Sequence, residues 1–185
     1  MWVLPSVDLI SIRELRTGLP LLNSFGVKRN RVIATGDDAI ELVYQARSNE
    51  LGHGIGVNLR IASYSEIDRG CISVIRKILH DFSGRNNAVL HPVPISRHEG
   101  DSDLMTIQAL MEGYDDGSDS WRSLDSPHKV IKQIGRCRII VTGSYHAAVF
   151  ALAQGISVVA LAKSAYYIEV LAKMQKLHLA SNRAQ

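Results

Sequence analysis

The chain has 185 residues, 46% hydrophobic and 21% charged, which is ordinary globular composition with room for one α/β domain plus an incomplete neighbour. Its 21 basic and 18 acidic residues give a net charge of +3, and the basic ones are dispersed, which argues against a nucleic-acid partner. No apolar run approaches the roughly 20 residues of a membrane span. Met1 is followed by Trp2-Val3-Leu4-Pro5, without a basic leader or cleavage signal, so a soluble, cytoplasmic protein is expected. Cys71 and Cys137 lie far apart in apolar patterns and read as core thiols; with no CxxC, neither a zinc site nor any other metal is expected.

In chain order, Asp8 to Ile12 reads as a strand, Leu15 to Phe25 as a helix and Arg31 to Thr35 as a strand. Residues 1–50 are too little for an independent domain and are expected to be a remnant or the end of a preceding domain plus a linker, or an extension resting on the main sheet. Asp37-Asp38, after Gly36, suit a strand end and a helix cap better than a metal. From Leu51 to the C-terminus, β-type runs alternate with helical patterns, the mark of a parallel sheet with crossover helices. The fold class is therefore α/β, a Rossmann-like three-layer α/β/α domain with a mainly parallel sheet.

Gly54 to Arg60 is its first strand, and a helix follows with Ile67, Cys71, Ile75, Ile78 and Phe82 on one face. Ala88 to Val93 is the second strand, ended by its prolines. Asp101-Ser102-Asp103 offers caps for a helix over Leu104 to Met111, and Glu112 to Ser120 is a loop. Ser126 as N-cap and Pro127 at the first position open another helix. Arg138 to Val141 is a strand, Ser144 to Gln154 a helix closed by Gly155, and Ile156 to Leu161 a strand. A last helix carries Tyr167, Val170, Leu171, Met174 and Leu177.

Ligands of an open parallel sheet sit beyond the carboxyl ends of its strands. Three such ends carry suggestive groups: Asn58 and Arg60; Ser96, Arg97 and His98; and the turn Thr142-Gly143-Ser144-Tyr145-His146. In that turn Gly143 admits close approach, Ser144 is placed to cap the helix, and the helix N-terminus can receive phosphate or carboxylate. His146 in the first turn could donate to an anion or exchange a proton. The alternative is a plain strand–helix turn with a capping serine and a buried histidine, and spacing alone leaves both open. Arg60 suits an anion or a loop carboxylate; Arg97 beside Glu99, Asp101 and Asp103 suits a solvated loop with local ion pairs. Lys163, past the last strand, is a further phosphate candidate.

Four segments resemble the polysaccharide pyruvyl transferase family: Thr35-Gly36-Asp37-Asp38-Ala39; Gly56-Val57-Asn58-Leu59-Arg60; Val93-Pro94-Ile95-Ser96 followed by Asp101-Ser102-Asp103; and Val141 to Ala148 running into Ala153 to Val158. The resemblance implies the C-terminal half of a glycosyltransferase-B-like (GT-B) transferase. Such an enzyme moves pyruvate from phosphoenolpyruvate onto sugar hydroxyls of a polysaccharide as a ketal, without a cofactor. It also implies that this chain begins inside the protein, the glycan acceptor being held mainly by an N-terminal half, and that self-association or a partner would cover the face where that half packs.

By match to the family motif His146 is the candidate general acid and Arg60 the candidate holder of the donor's anionic groups. Asn58, Gly143, Ser144, Tyr145, Ser96, Arg97 and Lys163 complete the expected donor site. Many members carry arginine two residues before the histidine, where this chain has Ser144; serine lacks bidentate recognition, which Arg97, Lys163 or the helix dipole would have to replace. The competing expectations are a GT-B donor domain for a nucleotide sugar and a non-catalytic α/β module.

Overall fold

The computed structural model describes residues 3–59, 69–98, 102–114 and 120–161. The expected last helix, and the expected site residues Arg60 and Lys163, lie outside them. The fold divides into two compact units, Met1–Leu42 and Val43–Gln185.

In the first unit a β-strand, β1 (Ile10–Ile12), a helix, α1 (Leu15–Ser24), and a second strand, β2 (Val32–Ala34), form one parallel crossover. Glu14 caps α1 by accepting from the Thr17 and Gly18 amides and from the Thr17 hydroxyl. The Thr17 hydroxyl bond is the main reason its carboxyl sits below the ordinary range. Asp37 accepts from the Ala39 amide at 3.1 Å and lies 3.6 Å from Arg13, so it opens the next helix, α2 (Ala39–Gln45), as a turn residue. α1 buries none of its residues. A two-stranded sheet beneath a helix with no buried residue is an incomplete layer by itself.

The second unit is a Rossmann-like α/β/α fold. Its strands β3 (Gly54–Asn58), β4 (Leu90–Pro92), β5 (Cys137–Thr142) and β6 (Ser157–Ala160) are all parallel, in the order β4-β3-β5-β6. The chain moves one way from β3 to β4 and the other way to β5 and β6. Right-handed crossovers then place the helix after β3 on one face and the helices directly before and after β5 on the other. On one face α3 (Arg69–Asn86) and α4 (Leu104–Met111) bury Ile72, Leu79 and Leu110 against Ile55, Val57, Leu59 and Leu90. α5 (Pro127–Ile134) and α6 (Tyr145–Ala153) cover the other, where Val130, Ile131, Ile134 and all of Ala147 to Leu152 are buried. Gly155, at φ 78°, closes α6: the Ile156 amide reaches back to Ala151 O at 2.9 Å, as only a left-handed residue allows.

Two sequence expectations fail on α3. Cys71, Ile78 and Phe82 do not face the sheet; Val74, Ile78 and Phe82 are 59%, 61% and 52% exposed, and the buried stripe is Ile72, Leu79 and Ser83 with Ile75 partly covered. Both stripes share the helical spacing and Ile75, so period cannot choose between them. The rotation is fixed by polar contacts: Arg76 donates to Ala109 O and pairs with Glu112, His80 Nε2 donates to Leu110 O at 2.8 Å, and Ser83 donates to Ala88 O at 2.7 Å. Cys71 is consequently a surface thiol rather than a core one, while Cys137 is buried. Burial pushes the Cys137 thiol up to about 12, against a small opposing effect of Arg136. At pH 8 a thiol reagent is therefore expected to modify Cys71 alone in the folded chain, with Cys137 reacting only in denaturant. Equal labelling of both without denaturant would contradict this packing.

No helix among the described residues is long and apolar enough to cross a membrane.

Candidate functional site

The reversal of strand order falls between β3 and β5, and their carboxyl ends are Asn58 and Thr142. Both side chains are buried there. Thr142 donates its hydroxyl to Asn58 Oδ1 at 3.1 Å and accepts the Ser144 amide at 2.8 Å. The Asn58 amide group donates to Val93 O and to Asp103 Oδ2, each at 2.8 Å. Asp103 Oδ2 also accepts the Ile95 and Ser96 amides at 2.8 and 2.9 Å. Polar side chains at strand ends would be costly here if unpaired; among the described residues every buried side-chain nitrogen or oxygen has a partner.

Above this buried network lies an open groove of about 430 Å³. The loop after β4 (Pro94, Ile95, Arg97), the start of α5 (Asp125, Ser126, Pro127) and one face of α6 (His146, Phe150) line it. His146 is exposed, not buried, in the first turn of α6, with its ring edge-on to Tyr145 and Phe150 at 5.4 and 6.3 Å. The buried-histidine alternative is thereby excluded. Ser144 occupies the N-cap but its hydroxyl makes no capping bond, and the same holds for Ser126 at α5. The expected serine caps are absent as side-chain bonds, which leaves first-turn amides and the positive dipole ends of both helices beside the groove.

Arg97 lines this groove; Glu99 and Asp101, two of the carboxylates expected to pair with it, lie outside the described residues. Arg97 Nε donates to Leu124 O at 3.1 Å, and its Nη2 to Arg122 O at 2.9 Å and Trp121 O at 3.4 Å. Three of the five guanidinium N–H groups thus anchor the turn before α5, and the Nη1 donors are not used in these bonds. Asp125, on the same rim, is bonded to Lys129 at 2.8 Å. That hydrogen bond, then the Lys129 charge, and least the Arg97 charge, hold its carboxyl below the usual range.

The structure therefore brings Arg97 and His146 to one groove, with Gly143, Ser144 and Tyr145 in the turn beside it. Ser96 lends its backbone: its amide binds Asp103 and its carbonyl accepts the Asp103 amide at 3.0 Å. Asn58 faces inward, with its side-chain amide engaged by the protein. Asp103, read from sequence as a cap, as a carboxylate beside Arg97 and as part of a family-like segment, was not among the expected site residues, nor were Pro94, Val130 and Phe150 of the groove lining. A polar residue closing each apolar strand run was the signal available for the Asn58–Thr142 pair. Among the described residues no group of three or more His, Cys, Asp or Glu is placed to hold a metal ion.

The parallel α/β sheet has its groove beyond the strands' carboxyl ends and beside two helix N-termini, where Rossmann-like folds in general place their ligands. The sequence model of the family described as polysaccharide pyruvyl transferase matches residues 1–164. The chain belongs to that family. Among curated proteins there is no match.

Proposed function

We propose that this chain carries the donor site of a pyruvyl transferase, taking phosphoenolpyruvate and forming a pyruvate ketal on two hydroxyls of a cell-surface polysaccharide. The observation that carries the reading is the exposed His146 at the uncapped N-terminus of α6, facing the groove that Arg97 also lines. Phosphate and carboxylate need N–H and cationic donors, which the helix ends and guanidinium supply. Arg60 and Lys163, assigned from sequence, add charge to the same anionic groups.

In the reaction the enol carbon gains a proton, one sugar hydroxyl adds to C2, and the C2–O bond to phosphate breaks. The second hydroxyl then closes the ketal. Of the two hydroxyl protons, one balances the new methyl group and the other leaves with phosphate. His146, whose ring lines the groove, delivers the proton to the enol carbon as general acid. The acceptor glycan is expected on a GT-B-type N-terminal half, which would cover this domain's open side. The cytoplasm, where cysteines outside disulfides persist, is the proposed compartment.

Phosphoenolpyruvate at millimolar concentration is expected to raise the thermal midpoint of the chain, by mass action on the folded state. His146→Ala and Arg60→Ala should each weaken binding about tenfold, the scale of one charge-assisted hydrogen bond. A shift with UDP- or GDP-sugars in place of phosphoenolpyruvate would favour a nucleotide-sugar transferase. No shift with either would leave a non-catalytic module.

A further inference from the structure

Asp103 occupies the N-cap of α4, where an aspartate ordinarily accepts from the second or third amide of its own helix. Its carboxylate makes no such bond; the Ser102 hydroxyl accepts the Leu104 amide at 3.2 Å instead. Asp103 Oδ2 turns away from the helix and gathers three N–H donors, from Ile95, Ser96 and Asn58, at 2.8, 2.9 and 2.8 Å. Two of these donors belong to the loop that carries Arg97. The third belongs to a side chain whose other end accepts from Thr142, the residue that holds the Ser144 amide two positions before His146.

We infer that Asp103 is a positioning residue, fixing the Arg97 loop against the His146 turn and so setting the separation of those two groups across the groove. The link is contiguous and buried: Asp103 and Asn58 are fully covered and Thr142 is 1% exposed. Its parts are directional. An amide oxygen could accept in the same place, but without the charge that strengthens each of the three N–H bonds to the carboxylate, and its NH2 would take the position of the second carboxylate oxygen. The α4 cap is forgone for this contact, so the sequence position that helix formation would use locally serves the groove instead. In its functional consequence, though not in its geometry, the inference rests on the donor-site reading above.

The test compares Asp103→Asn with the unaltered chain, without ligand and then with phosphoenolpyruvate. Hydrogen exchange at the Ile95, Ser96 and Ser144 amides is expected to quicken at least tenfold, and the His146 ring resonance to move, while the Leu79 and Leu110 amides remain protected. Phosphoenolpyruvate should bind at least tenfold more weakly. Faster exchange confined to Ile95 and Ser96, with Ser144 and His146 unmoved, would reduce Asp103 to a local loop anchor and overturn the inference. So would full rescue by the exchange Asn58→Asp with Asp103→Asn, because polarity alone would then suffice. Should Asp103→Asn fail to fold, Thr142→Val cuts the same link at its far end. It is expected to move the His146 resonance while Ile95 and Ser96 stay protected, and an unmoved resonance overturns the link. If the unaltered chain does not bind phosphoenolpyruvate, the donor assignment falls, and the ligand-free exchange still decides the role of Asp103.

Discussion

Asn58→Asp is expected to destabilise the fold by about 3–5 kcal/mol at pH 7, the scale for an uncompensated buried charge. The substitution is nearly isosteric, exchanging an NH2 donor for an oxygen. That oxygen would face Asp103 Oδ2 and Val93 O, both now 2.8 Å from the Asn58 nitrogen. Two carboxylates at that distance cannot both ionise and must share a proton, with an apparent pKa that belongs to the pair. The pair's second ionisation is raised above the unfolded carboxylate value of about 3.9. Stability from the shared proton is therefore fully present below that value and is lost as pH rises through the raised one. Urea denaturation of this variant should show a midpoint that falls from pH 4 to pH 8 far more steeply than the unaltered chain's. A pH-independent difference would mean that Asn58 and Asp103 are not in contact. Asn58→Ala, which removes the donor to Val93 O and the acceptor of the Thr142 hydroxyl without adding charge, should destabilise at every pH.

The second large effect is expected from Gly52→Ala, at about 3 kcal/mol or more, the upper end of overpacking costs. A Cβ on Gly52 would stand 2.0 Å from both the carbonyl carbon and oxygen of Arg136 and 2.6 Å from the Cys137 nitrogen. All three are backbone atoms at the start of β5, and no rotamer change removes them. Arg136 O also accepts the Gly54 amide at 3.0 Å, so relief by backbone movement would pull β3 from β5 at the centre of the sheet. Gly56→Ala meets Ile140 Cδ1 at 2.0 Å and Cys137 Sγ at 3.0 Å, side-chain atoms that can shift, and should cost less. Gly84→Ala meets nothing within 4 Å near the end of α3 and should stabilise by roughly 0.5–1 kcal/mol. Chemical denaturation of the three variants gives the order directly; Gly84→Ala falling beside Gly52→Ala would contradict the close approach of β3 to β5.

Much of the second unit was legible before any coordinates. The runs at Gly54, Ala88, Arg138 and Ile156 all carry strands, and α4 covers Leu104–Met111 as its spacing indicates. Gly155 closes α6 because the left-handed turn it permits is a local property. The face of α3 was not legible, because two stripes with the same period compete and the choice is made by Ala109, Leu110 and Glu112 of another segment. Nor was the fate of Asp103. A local reading assigns it to its own helix cap, whereas amides seven and eight positions earlier and a side chain from β3 claim it in the folded chain.

The sequence by itself determined the α/β class, the parallel sheet, the position of the turn before His146 and, through four short segments, the family. These depend on hydrophobic period, glycine and proline placement and local motif, all written within a few residues of one another. Only the tertiary structure decided that His146 is exposed, that Ser144 and Ser126 leave their helix ends without side-chain caps, and that Arg97 shares the His146 groove. It also joined Asn58, Asp103 and Thr142, which lie 45 and 84 positions apart along the chain, into one buried network. Such pairings are settled by which strands become neighbours, and strand order is a property of the whole sheet rather than of any segment in it.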